Sequence, residues 1–146
     1  MNTVLVYYSE HHGNTKKLLE AIAAADSSVA LIDVTKQLDT DLSSFDRIGF
    51  ASGIYFSSFA KQIISFADAY LPDNKDVFYI YTHGAPKGGF LKGIREIAAK
   101  RNCRKLGKYH CLGYDTFGPF KLVGGIAKGH PTEEEIQAAV RFYQAL

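Results

Sequence analysis

At 146 residues the chain has room for one domain with a sizeable hydrophobic core, which needs no disulfide or metal staples. A net charge of +2 gives no bulk reason to expect a nucleic-acid binder, and two cysteines without CxxC or zinc spacing exclude a disulfide scaffold and a metal site. No secretory segment opens the chain and no apolar run could span a bilayer, so a soluble, cytoplasmic protein without membrane contact is expected.

The first element is a strand over Thr3–Ser9, nearly continuous in apolar residues. A polar loop, Ser9–Thr15, leads into a helix over Asn14–Ala25 with Leu18, Leu19, Ile22 and Ala23 on one face. The first turn of that helix carries Lys16 and Lys17 and no carboxylate. Unpaired N–H groups and the helix dipole favour acidic side chains at such a start. Lysines suit it if an anion already sits there, and a phosphate held by backbone N–H groups and hydroxyls is the natural candidate. The plain alternative is that both lysines face solvent.

Strands follow over Val29–Val34 and Arg47–Ser52, with a short polar link at Lys36–Phe45 that buries Leu38 and Leu42. A helix over Ser58–Tyr70 turns Ile63, Ile64, Phe66 and Ala67 inward. A strand over Val77–Tyr81 precedes a helix over Gly89–Arg101 with Phe90, Leu91, Ile94, Ile97 and Ala98 inward. The last strand spans Tyr109–Tyr114. A long loop, Asp115–Pro131, holds Phe117 and Phe120 and can reach the site edge. The closing helix, Thr132–Ala145, starts with an N-cap threonine and Glu133-Glu134-Glu135, so here the chain obeys the dipole rule that it breaks after the first strand.

Apolar strands alternating with helices predict a doubly wound α/β domain: five parallel strands, with helices on both faces. Ligands of such sheets bind beyond the carboxyl ends of the strands, where strand order reverses. That rule selects Ser9–Thr15, Ser52–Phe59 and Thr82–Gly89. No GxxxxGK[ST], GxGxxG or GxSxG motif is present. Charge is uneven. Residues 87–108 hold eight basic residues against Glu96 alone, while the rest holds nine basic and fourteen acidic. This region is either a patch that steers a partner or a solvated helix face.

With these three loops on the page, the chain resembles the short-chain flavodoxins over essentially its whole length. Ser9 to Thr15 resembles the family's phosphate loop. Leu42 to Phe50 followed by Ala51-Ser52-Gly53-Ile54-Tyr55 resembles the entry to its second loop, and Thr82-His83-Gly84 resembles its third. Lys128-Gly129-His130-Pro131 is similar to a subgroup described only as flavodoxin-like. The resemblance implies FMN, an electron-transfer role and redox partner proteins, for which the chain's own basic region Lys87–Lys108 is a candidate docking place. It also implies a cofactor site made of Ser9, His11, His12, Gly13, Asn14 and Thr15, then Ser52, Gly53, Ile54, Tyr55 and Phe56, then Thr82, His83 and Gly84.

Other readings stand beside these. Asn14 can be an ordinary helix cap. His11 and His12 can be plain loop residues. Tyr55 and Phe56 either stack on the flavin ring or pack in the core, as do Phe90 and Phe117. Gly84 either presents backbone to the ring or makes a plain turn. Three features depart from the family pattern: an extra residue at His11-His12, Gly53 in place of a common proline, and a mildly basic charge. Two other functions stay open, an FMN-dependent NAD(P)H:quinone-type reductase and a flavodoxin-shaped module that has lost FMN.

Overall fold

The computed structural model describes residues 2–9, 13–36, 40–55, 57–84, 88–113 and 129–146. In chain order these form β1 (Thr3–Tyr8), α1 (Asn14–Ala25), β2 (Ala30–Asp33), β3 (Arg47–Tyr55), β4 (Ser58–Phe59), α2 (Lys61–Tyr70), β5 (Asp76–His83), α3 (Lys92–Lys100), β6 (Arg104–Leu112) and α4 (Glu133–Gln144). Five strands lie parallel in the order β2-β1-β3-β5-β6, and the two-residue β4 folds back antiparallel on the end of β3. The predicted five-stranded doubly wound sheet is therefore present. The added β4 lies inside the stretch expected to begin the second helix.

Both faces of the sheet are covered. Leu5 and Tyr7 of β1 join Leu18, Leu19 and Ile22 of α1 and Ala139, Val140 and Tyr143 of α4. Val4, Val6 and Tyr8 point the other way, among Ile63, Phe66 and Ala67 of α2 and Ile94, Ile97 and Ala98 of α3. This alternation is the two-residue period of a strand buried on both sides. Leu18, Leu19 and Ile22 are fully buried, each adding roughly 1.5–3 kcal/mol of hydrophobic stabilisation. The exposed Lys16–Glu20 pair on the same helix adds about 0.2–0.5 kcal/mol, so packing rather than surface charge holds α1 in place. Gly49 lets the layers close. A Cβ there would lie 2.5 Å from both Leu5 Cδ2 and Phe78 Cζ.

β6 begins five residues before its expected start. Its first half carries Arg104, Lys105 and Lys108, which hides a strand pattern, and charge on an outer strand guards against pairing with other chains. The basic region is thus no single helix face. Lys92, Arg95 and Lys100 lie on α3, and Arg104, Lys105 and Lys108 lie on the sheet edge. Arg101 donates to the Leu71 and Asp68 carbonyls, and Arg104 pairs with Asp76 at 2.8 Å. Among the described residues no helix is long and apolar enough to cross a membrane.

Strand order reverses between β1 and β3. The chain moves outward from β1 to β2, then returns to lay β3, β5 and β6 on the other side. Tyr8 faces Ser52, Gly53 faces Thr82, and His83 faces Leu112, so these strands finish nearly level at one edge.

Candidate functional site

The loop after β1 closes on Gly13, whose φ of 66° lies in the left-handed region that glycine tolerates at little cost. Gly13 is the N-cap of α1 and offers no side chain to it. Its carbonyl accepts from Lys17 N at 3.0 Å, while Lys16 N donates to Ser9 Oγ at 3.3 Å. The first turn is divided by burial. Asn14 and Thr15 are 5% and 1% exposed, whereas Lys16 and Lys17 face solvent. The side chains packed at this helix start are therefore an amide and a hydroxyl, and the two lysine side chains lie in solvent.

The contrast with α4 holds. Thr132 caps α4 through a full capping box with Glu135. Burial raises the Glu135 carboxyl, but bonds from Thr132 and His130 outweigh it and hold the group below its ordinary range. However, α2 and α3 also start without an acidic first turn or a side-chain cap. What singles out α1 is its place at the switch point.

Three loops are tied together there. Thr15 Oγ1 and Thr82 Oγ1 share a buried hydrogen bond of 2.9 Å. Gly113 N donates to the His83 carbonyl at 3.0 Å. The Asn14 amide lies against Gly113, where a Cβ would approach Asn14 Nδ2 to 2.7 Å. So the start of α1, the end of β5 and the exit of β6 are mutually positioned.

Of the second-loop residues, Ser52, Gly53, Ile54 and Tyr55 form the end of β3. Ser52 is fully buried, and its Oγ accepts from Ala60 N at 3.0 Å, bracing the turn through β4. Tyr55 is half-buried and meets Tyr8 edge-on at 5.7 Å. In the third loop Thr82 and His83 are buried, and Gly84 is partly exposed. His11, His12, Phe56, Phe117 and residues 114–128 of the long loop lie outside the described residues.

The structure adds one residue, His110, beside the third loop. His83 Nε2 and His110 Nδ1 share a hydrogen bond at 3.0 Å, and the His110 ring stacks on Tyr81 at 4.9 Å. Phe90, a candidate ring-stacking residue, is instead buried against Tyr81 and His83. Burial, then repulsion from Lys108, holds the His110 imidazole below its ordinary value. The signal for His110 was its strand register. It sits two residues from Lys108, opposite Tyr81.

The model of the flavodoxin domain matches residues 5–87, from within β1 into the third loop. The chain belongs to the flavodoxin family. A relative spanning all of this flavodoxin-family chain, and 98% of its own length, is an uncharacterized protein of Methanocaldococcus jannaschii, 36% identical. Among solved structures, a flavodoxin from the domain Archaea superimposes with a TM-score of 0.70 at 21% identity, over 97% of this chain and 92% of that one. A Fusobacterium nucleatum flavodoxin, solved with flavin mononucleotide, gives 0.65 at 10% identity over 99% and 98%. At such identities these two structures speak for the fold.

Proposed function

We propose that this chain binds FMN and carries electrons between partner proteins in the cytoplasm. The observation that carries the reading is the buried Thr15–Thr82 hydrogen bond at the switch point, which joins the candidate phosphate loop to a candidate ring loop.

The donor set fits a phosphate. Hydroxyls of Ser9 and Thr15 stand at the amino end of α1, whose first turn carries no carboxylate and whose cap residue has no side chain. The ring end fits a planar aromatic group. The half-buried Tyr55 offers an aromatic face, and the partly exposed Gly84 offers backbone free of side-chain bulk. FMN, when bound, supplies reversible one- and two-electron chemistry, and the protein's part is binding, orientation and electrostatic tuning. The ends of β1, β3 and β5, level at one edge of the sheet, support a phosphate and a ring bound side by side. The buried His83, held by His110, is a fixed neighbour of the ring loop.

The test is a titration of purified protein with FMN, followed by quenching of flavin fluorescence and by visible absorbance. Saturation at one FMN per chain is expected. A folded sample that takes up no FMN sinks the reading in favour of a flavodoxin-shaped module. Rapid NAD(P)H oxidation by the loaded protein alone would replace the carrier with a reductase.

A further inference from the structure

A second cleft, of about 470 Å3, opens between α3 and the outer edge of the sheet. Tyr81, Phe90 and His110 form its aromatic wall, and Lys92, Arg95 and Lys108 stand around it. Strand alternation puts Lys108 and His110 on the α3 side, because their neighbours Tyr79 and Tyr81 belong to the core beneath α3. Lys105 adds to the same group. Burial, then repulsion from Arg95 and Lys108, lowers its pKa. Glu96 is the one acidic residue lining the cleft, and among the described residues none of these four cations has an ion-pair partner.

Lysine on an outer strand also discourages edge pairing, and that purpose alone would account for Lys105 and Lys108. It does not account for Lys92 and Arg95, which sit on a helix and face the same cleft. Like charges gathered from two elements raise the local positive potential and steer an anionic partner. The cleft is also joined to the candidate cofactor site. His110 lines it, and His83 of the third loop is hydrogen-bonded to His110.

We propose that the α3–β6 face, centred on this cleft and rimmed by Lys92, Arg95, Lys105 and Lys108, is the docking surface for a small acidic electron-transfer protein. The proposal rests on the carrier reading for its purpose and on charge complementarity for its partner. A partner seated there lies beside the third loop. Its acidic side chains meet the four cations, and the open rim leaves room for its surface.

The test uses oxidised plant-type ferredoxin, a small acidic iron–sulfur protein, as the probe. It is added to the isotopically labelled, FMN-treated protein and followed by amide NMR shifts. Visible absorbance of each sample, taken before ferredoxin is added, records flavin loading. Shifts are expected at residues 92–96 and 104–110, extending to His83 and Gly84. Affinity should fall on the order of tenfold between low and physiological-to-high salt, as screening shortens the range of surface charge. The double variant Lys92→Glu with Lys105→Glu should lose a similar factor while keeping its flavin absorbance. A glutamate in the first turn of α3 suits the helix dipole, so folding is preserved. Basic cytochrome c should shift none of these amides.

The proposal is overturned if ferredoxin leaves these amides unmoved, or if the variant binds it equally well. It is also overturned if NADP+ alone saturates the same amides at micromolar concentration, which marks a nucleotide pocket. A yellow sample that ignores ferredoxin removes the docking surface and keeps the FMN reading. A colourless sample that binds it through these lysines does the reverse.

Discussion

Thr15 and Thr82, 67 residues apart in sequence, join their hydroxyls at 2.9 Å with 1% and 3% of their surfaces exposed. Losing one hydroxyl strands the other in a dry place, at a cost of about 1–3 kcal/mol. The double change Asn14→Ala with Thr15→Ala should therefore lower stability by that order. It should also raise the Kd for FMN at least tenfold, about 1.4 kcal/mol of binding. Thr82→Val removes the same bond but leaves the first loop intact, so stability should fall with a smaller loss of affinity. Urea melts and flavin fluorescence titrations separate the two effects. An unchanged Kd in the double variant would place the phosphate elsewhere.

Two glycines should respond with opposite sign. Gly49→Ala drives a methyl to 2.5 Å from Leu5 Cδ2 and Phe78 Cζ, both on fully buried side chains, and overpacking of this kind costs about 1–3 kcal/mol. At Gly93, on α3, the nearest atom to a new methyl is Ile64 Cδ1 at 3.5 Å, an ordinary contact. Gly93→Ala should add about 0.5 kcal/mol through helix propensity. Thermal melts of both variants decide this.

The depressed His110 imidazole makes stability depend on pH. Burial and Lys108 disfavour its charged form in the folded chain. On acidification the unfolded chain takes up the proton first, so stability falls as pH drops below about 6.5, the ordinary histidine value. The loss ends once the folded imidazole also protonates. Lys108→Ala should move the His110 midpoint upward and weaken this pH dependence. An NMR titration of the imidazole protons reads the shift, and an unmoved midpoint would remove Lys108 as a cause.

Neither cysteine should behave as a reactive thiol. Burial pushes Cys111 up to about 12 and also raises Cys103. Since the thiolate is the nucleophile, the native protein should react slowly with Ellman's reagent at neutral pH and release two equivalents only in guanidinium. Fast native labelling of Cys111 would show that its surroundings open.

How much of this was legible in the sequence varied with local chemistry. The Asn14–Ala25 helix was read with its observed bounds, because Gly13 marks its start and Leu18, Leu19 and Ile22 its buried stripe. The sequence places Ser58 at the start of the second helix, yet it pairs with Tyr55 in β4, and the positive φ of Ser57 leaves no compositional trace. The start of β6 is hidden in the sequence because Arg104, Lys105 and Lys108 imitate a polar connector. In the site, Lys16 and Lys17 both face solvent, one of the two readings that the sequence leaves open. His110 went unnoticed because its link to His83 depends on cross-strand register, which spans 27 residues of chain.

The position of β3 bears on how the molecule is made. It is the third strand to leave the ribosome, yet it lies between β1 and β5, which share no ladder of hydrogen bonds with each other. Until residues 47–55 arrive, β1 has an unfilled hydrogen-bonding edge, and parallel strands close only after a long crossover. Nascent chains that stop short of this segment should be the ones that depend most on chaperones.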